Sequence, residues 1–122
     1  MSVICIVDDD PDVCELVEYK LVQNGHVVLS ATNGQDALRL VPEASPALVL
    51  LDVMMPGLSG FEVLEQLRAS AATRELPIIM LTAKAQDADA ERGYALGAND
   101  YVLKPFSPRE LLNRINVQLS LV

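Results

Sequence analysis

The fold is decided by a short stretch near the start of the chain, Val3-Ile4-Cys5-Ile6-Val7-Asp8-Asp9-Asp10-Pro11. Five consecutive apolar residues are typical of a strand that is buried on both faces, as in a parallel sheet. Proline is favoured at the first position of a helix, so Pro11 predicts that a helix follows almost at once. The stretch therefore indicates a strand, a short acidic loop and a helix.

The rest of the chain repeats this alternation, with short apolar runs followed by segments whose apolar residues recur at helical spacing. The predicted strands are 3–7, 27–29, 47–51, 78–81 and 101–103. The predicted helices cover about 11–24, 33 to the break at Pro46, 59–71, 87–96 and 107–119. Five β/α units joined by short loops predict an α/β fold, a single parallel sheet with helices on both faces.

Length and charge limit the function classes. A chain of 122 residues, of which 51% are hydrophobic, is expected to form one domain over 1–122. Acidic residues outnumber basic ones 17 to 9 without a Lys/Arg cluster, which argues against nucleic-acid binding. No run approaches 18 apolar residues, and no basic segment precedes the first apolar run. We therefore expect neither a membrane span nor a signal peptide, and a cytoplasmic location.

The two cysteines, Cys5 and Cys14, are nine residues apart and form no Cys-x-x-Cys motif. His26 is the single further soft ligand, so the pattern favours neither a disulfide framework nor a zinc site. Both cysteines are expected to be small core residues.

Polar side chains follow four of the predicted strands: the aspartates at 8–10, Asp52, Thr82 and Lys104. Each alone has a structural explanation, because Asp caps helices and Thr is common in strands. Ligands of open parallel sheets, however, bind at the carboxyl ends of the strands. If the first and third strands are neighbours, Asp8, Asp9 and Asp52 share one pocket.

Such a cluster needs a cation. Two carboxylates about 5 Å apart repel by roughly 3 kcal/mol at an effective dielectric of 20. Lys104 supplies one positive charge and leaves the group net negative, and oxygen ligands with room for water favour Mg²⁺. A metal, a lysine and a carboxylate nucleophile are the groups that phosphoryl transfer uses, and Thr82 adds a hydroxyl donor. The residues thus predict a carboxylate that accepts a phosphoryl group.

These motifs strongly resemble the receiver domain of two-component response regulators. Four stretches have the order and spacing of that family: Ile6 to Pro11, Leu50 to Gly60, Ile79 to Ala83, and Lys104-Pro105-Phe106. The resemblance extends over essentially the whole chain. It implies a flavodoxin-like (βα)5 fold, a doubly wound five-stranded parallel sheet in the order 2-1-3-4-5.

The resemblance also implies roles for the site residues. Asp52 would be the phosphoacceptor. Mg²⁺, with Mn²⁺ as an alternative, would be bound by Asp9, Asp52 and the backbone carbonyl of Met54, and Asp8 would act through water. Lys104 would contact the acyl phosphate, and its peptide bond to the following proline is expected to be cis.

A switch and a set of partners are implied as well. Thr82 would move to hydrogen-bond the phosphoryl oxygens and Tyr101 would turn inward, changing the surface of the fourth helix, fifth strand and fifth helix. The donor would be a sensor histidine kinase or a phosphotransfer protein, and the target an output domain or effector protein. Relatives with a winged-helix output domain form phosphorylation-dependent dimers through a set of charges on this surface, which Asp100, Glu110 and Arg114 match and Ala90, Ala95 and Asn116 do not. Such a domain is a regulatory phosphoacceptor rather than an enzyme, catalysing only its own phosphorylation and dephosphorylation.

Two alternatives belong to other classes. A haloacid-dehalogenase-type phosphatase would use Asp8 and Asp10 as nucleophile and acid, with Thr82 and Lys104 as later motifs. That family needs a further acidic pair beyond the lysine, and Glu110 is the single acid downstream of it. A pseudo-receiver would use the fold as a binding module without phosphorylation, but such modules usually lack part of the site set that is present here.

Overall fold

The structure, a computed structural model, describes residues 2–83 and 87–120. Strands and helices alternate along these residues. The strands are β1 (Val3–Val7), β2 (Val27–Ala31), β3 (Leu48–Asp52), β4 (Ile78–Thr82) and β5 (Asp100–Leu103). The helices are α1 (Pro11–Gln23), α2 (Gly34–Ala44), α3 (Gly60–Ala69), α4 (Asp87–Ala95) and α5 (Pro108–Ser120).

The strands form one parallel sheet in the order β2-β1-β3-β4-β5. The predicted doubly wound α/β fold and its strand order are therefore confirmed. Val7 pairs with Leu51, and Thr82 pairs with Leu103. The residues that follow these pairs, Asp8, Asp52 and Lys104, consequently meet at one edge of the sheet.

The core has two layers, one on each face of the sheet. Val49 and Leu51 of β3 belong to the layer that packs against α2 and α3, whereas Leu48 and Leu50 belong to the layer with α1 and α5. This alternation follows from the two-residue period of side chains along a strand. Cys5 and Cys14 are buried free thiols in opposite layers, so their prediction as core residues is confirmed.

Helix starts agree with the capping residues in the sequence. Asp10 accepts a hydrogen bond from the Asp12 amide (2.9 Å), and the Ser107 hydroxyl accepts one from the Glu110 amide (3.0 Å). Among the described residues, no helix is long and apolar enough to cross a membrane.

Element ends differ from the predictions by one or two residues. Strand β2 continues beyond 29 to Ala31, because Ser30 and Ala31 pair with Ile6 and Val7 of β1. Pairing with a neighbour thus extends a strand through residues that have little strand preference of their own. Helix α3 ends at Ala69 rather than near Ala71.

Candidate functional site

An acidic cluster lies at the carboxyl ends of β1 and β3. Asp8, Asp9 and Asp52 each offer a carboxylate oxygen within 4.8 Å of the others. Asp8 is fully buried and Asp52 is 4% exposed, whereas Asp9 faces solvent. The cluster therefore opens to solvent on the side of Asp9, and the predicted convergence of these three carboxylates is confirmed.

Lys104 reaches this cluster from the end of β5. Its Nζ lies 2.6 Å from Asp8 Oδ2 and 3.5 Å from Asp52 Oδ1. Burial alone would lower the pKa of Lys104, but the hydrogen bond to Asp8 and the negative charges of Asp52 and Asp8 outweigh it and raise the pKa. The ammonium is consequently a permanent cation of the site at neutral pH. The peptide bond between Lys104 and Pro105 is cis, as expected.

Asp8 is held by groups that sequence reasoning did not identify. Its Oδ1 accepts a hydrogen bond from the Asp10 amide (2.9 Å), and its carbonyl accepts one from the Cys14 thiol (3.4 Å). The first is a local turn contact, for which an Asp two residues before a helix cap is a recognisable signal. The thiol contact depends on the packing of α1 against β1 and has no such signal.

The environment of Asp52 disfavours its charged form. Burial and the nearby charge of Asp8 raise the pKa of Asp52 from its ordinary 3.8 to about 7, against the opposing effect of Lys104. The Met54 amide donates to Asp52 Oδ1 over 3.4 Å, which places the backbone of Met54 beside the carboxylate. The side chain of Met54 is exposed.

The donor set fits a hard divalent cation. Three carboxylates and one lysine leave a formal charge of about minus two, and all donors are oxygens, which suits Mg²⁺ with part of its water shell retained. A bound cation would offset both the burial and the repulsion that raise the pKa of Asp52. The cluster can therefore hold a metal and present a carboxylate beside it.

Thr82 and Tyr101 lie on one face of the sheet. Tyr101 pairs with Met80, and side chains two residues apart on a strand share a face, so Thr82 points the same way. Thr82 is buried, and the Tyr101 ring packs against the core with its hydroxyl oxygen shielded from solvent. The predicted switch pair is therefore on a common face of β4 and β5.

The three predicted dimer charges are paired within the chain. Arg114 Nη1 lies 2.9 Å and 3.1 Å from the two carboxylate oxygens of Asp100. Its Nη2 lies 3.7 Å from Glu110 Oε1. In this structure the set thus forms a local ion-pair group on β5 and α5.

The chain is similar to known receiver domains in both sequence and structure. The family model for the response regulator receiver domain matches residues 4–116. The solved structure of Vibrio cholerae chemotaxis protein CheY4 is 31% identical, with coverage of 96% of this chain and 98% of that chain and a TM-score of 0.92. The BeF3-activated N-terminal receiver domain of Klebsiella pneumoniae RstA is 33% identical, with coverage of 96% and 97% and a TM-score of 0.89.

A third solved structure carries a metal. The receiver domain of the sensor histidine kinase PA1611 from Pseudomonas aeruginosa PAO1 is 31% identical, with coverage of 98% of both chains and a TM-score of 0.90. That structure has a magnesium ion coordinated in its active site cleft.

Proposed function

The chain belongs to the response regulator receiver domain family, and from that premise we propose that Asp52 is the residue that accepts the phosphoryl group. Asp52 ends the central strand β3, shares a pocket with two other carboxylates and lies 3.5 Å from a lysine ammonium. This juxtaposition of a nucleophile, a metal-binding set and a fixed cation is the observation that supports the proposal.

In the proposed reaction, a carboxylate oxygen of Asp52 forms a bond to phosphorus as the bond to the leaving group breaks. The leaving group is the imidazole nitrogen of a phosphohistidine or, with a small donor, acetate. Asp52 attacks in its ionised form. Lys104 favours that form and is placed to contact a phosphoryl oxygen after leaving Asp8.

Asp9, Asp52 and the backbone carbonyl of Met54 would hold Mg²⁺, with Mn²⁺ as an alternative, and Asp8 would act through water. When bound, the ion supplies positive charge to the phosphoryl oxygens in the transition state. Asp8, fully buried, keeps Lys104 in the pocket before transfer through its 2.6 Å ion pair.

Thr82 and Tyr101 form the proposed switch. A phosphoryl group on Asp52 would recruit the Thr82 hydroxyl, because the new oxygens are strong acceptors. Movement of Thr82 changes the space available to the Tyr101 ring, since both lie on the same face of adjacent strands. The outer surface of α4, β5 and α5 would change as a result.

Receiver domains interact with histidine kinases and output domains, and this chain is a regulatory phosphoacceptor domain. We propose that it forms a single domain over 1–122 and catalyses its own phosphorylation and dephosphorylation. The donor would be a sensor histidine kinase or a phosphotransfer protein, and the output would pass to an output domain or effector protein. A cytoplasmic location is part of the proposal.

The phosphatase alternative gains no support from the geometry. Glu110 lies in the first turn of α5 and pairs with Arg114, so it does not complete an acidic pair at the cluster. Asp10, which would be the general acid, is occupied as the cap of α1.

The proposal is tested by incubating the protein with acetyl phosphate and Mg²⁺ and measuring the phosphorylated fraction. Wild type is expected to become labelled, Asp52→Asn to remain unlabelled, and Asp36→Asn, which removes a half-exposed carboxylate on α2, to behave as wild type. Chelation of the metal should abolish labelling. Undiminished labelling of Asp52→Asn would place the acceptor elsewhere.

A further inference from the structure

Gly60 begins α3 and lies against the end of β3. We propose that Gly60 is a positioning residue for the phosphoacceptor, because its missing side chain allows the first turn of α3 to rest on the peptide group between Asp52 and Val53. The inference rests on the proposed function, since it concerns how Asp52 is held for phosphoryl transfer.

The approach of Gly60 to this peptide group leaves no room for a side chain. A Cβ at position 60 would lie 2.8 Å from Val53 Cα and 2.9 Å from the Asp52 carbonyl carbon, and closer still to the Asp52 carbonyl oxygen. Real Cβ atoms essentially never approach other atoms within 3.0 Å. All three contacts are backbone atoms, so no rotamer change can relieve them. Either α3 or the peptide group of Asp52 would have to move.

Hydrogen bonds hold both partners of this contact. The Gly60 amide donates to the Val53 carbonyl (2.8 Å), and the Val53 amide donates to the Leu81 carbonyl of β4 (2.9 Å). On the other side, Ser59 and Glu62 form a reciprocal capping box that fixes the first turn of α3. Because both partners are held, neither can move freely, and part of the displacement would fall on the segment that carries Asp52.

Displacement of that segment would disturb the site geometry directly. The Asp52 carboxylate is placed by its backbone at 3.5 Å from Lys104 and within 4.8 Å of Asp8 and Asp9. A misplacement of about 1 Å at a reacting group can slow a reaction by about 100-fold. The backbone of Met54, the proposed third metal ligand, lies only one residue beyond Val53.

The requirement at position 60 differs from that at Gly25 and Gly57. Gly25 and Gly57 have positive φ angles of 84° and 78° and open space around them. They serve turns, which depend on backbone conformation. Gly60 is not among the residues with positive φ, and its requirement is the close approach to Asp52.

The experiment compares Gly60→Ala with Ser59→Ala in the full chain. Ser59→Ala removes the α3 cap without adding an atom near Asp52, so we expect a melting temperature lower by about 4 °C and a phosphorylation rate within about two-fold of wild type. Gly60→Ala should lower the rate at saturating acetyl phosphate and Mg²⁺ by about 100-fold and weaken Mg²⁺ binding in calorimetry. A folded Gly60→Ala protein with wild-type rate and metal affinity would overturn the inference.

If the Gly60→Ala protein does not fold, NMR measurements on the wild-type protein test the inference. Labelling with ¹⁵N-glycine gives six amide signals. We expect saturating Mg²⁺ to shift the Gly60 amide and slow its hydrogen exchange, while Gly25 and Gly97, which precede β2 and β5 at the opposite end of the sheet, stay unchanged. An unaltered Gly60 signal would refute the inference. Failure of wild type to become labelled on Asp52 would instead refute the proposed function.

Discussion

Replacing Asp52 with Asn should stabilise the metal-free protein at pH 8. Asp52 lies within 4.8 Å of two carboxylates, and each pair repels by at least about 3.5 kcal/mol at an effective dielectric of 20. The attraction between Asp52 and Lys104, whose charged atoms are 3.5 Å apart, is about 4.7 kcal/mol at the same dielectric. The repulsion therefore exceeds the attraction by about 2 kcal/mol before the cost of burial is added.

The raised pKa of Asp52 gives a second value for the stability gain and predicts how the gain depends on pH. A rise from 3.8 to about 7 corresponds to about 4 kcal/mol. The value from the pKa is larger because it includes the cost of burying the charge. We therefore expect Asp52→Asn to raise the free energy of unfolding by about 2 to 4 kcal/mol at pH 8. Between about pH 4 and 7 the folded chain retains a proton that the unfolded chain has lost, so wild-type stability falls as the pH rises through this window. The advantage of the Asn variant should thus nearly vanish at pH 4.

Urea unfolding followed by circular dichroism measures this difference, in EDTA and in Mg²⁺. Mg²⁺ at 100 times its Kd should stabilise wild type by about 2.7 kcal/mol and the variant by much less. Asp36→Asn, at a half-exposed position on α2 outside the cluster, is the control and should show no gain. An Asp52→Asn protein that is less stable than wild type at pH 8 without metal, or whose difference is independent of pH, would refute the reasoning.

Two further variants test the proposed site, and a third tests a contact between α3 and the loop before β5. Asp9→Ala should weaken Mg²⁺ binding at least ten-fold in calorimetry, and unchanged affinity would remove Asp9 from the metal site. Lys104→Ala should retain some phosphorylation but leave the ¹⁹F signal of fluorotyrosine at Tyr101 unresponsive to it, whereas a wild-type response would contradict the role of the lysine. Arg68→Met removes hydrogen bonds to Gly97 O (2.9 Å) and Asn99 Oδ1 (2.8 Å) and should lower the free energy of unfolding by about 2 kcal/mol, a loss that urea titration would detect or exclude.

Much of the fold could be predicted from local sequence patterns. The bounds of β1 (Val3–Val7) were predicted correctly, because an uninterrupted run of five apolar residues is typical of a strand that is buried on both faces. The acidic cluster was predicted on the condition that β1 and β3 are neighbours, because Asp8 directly follows β1 and Asp52 is the last residue of β3; the strand order implied by the family resemblance met that condition. The bounds of β1 are thus encoded locally, whereas the cluster also required the strand order.

Features that depend on contacts across the sequence were not predictable in this way. The Ser30–Ala31 end of β2 exists because β1 pairs with it. The helix predicted over 59–71 has Gly60 in its first turn, but nothing in the sequence indicated that this turn rests on the backbone of Asp52. Such contacts are set by how strands pair and how helices pack on the sheet, and no local signal encodes them.

The central claim is that the phosphoryl group is carried by Asp52. Borohydride reduction converts an aspartyl phosphate to homoserine, so the site can be found by peptide mass spectrometry after treatment with acetyl phosphate and Mg²⁺. Trypsin separates the candidates, because residues 1–20 contain Asp8 and residues 40–68 contain Asp52 as their single aspartate. We predict homoserine at position 52; homoserine at position 8, with position 52 unmodified, would contradict the account.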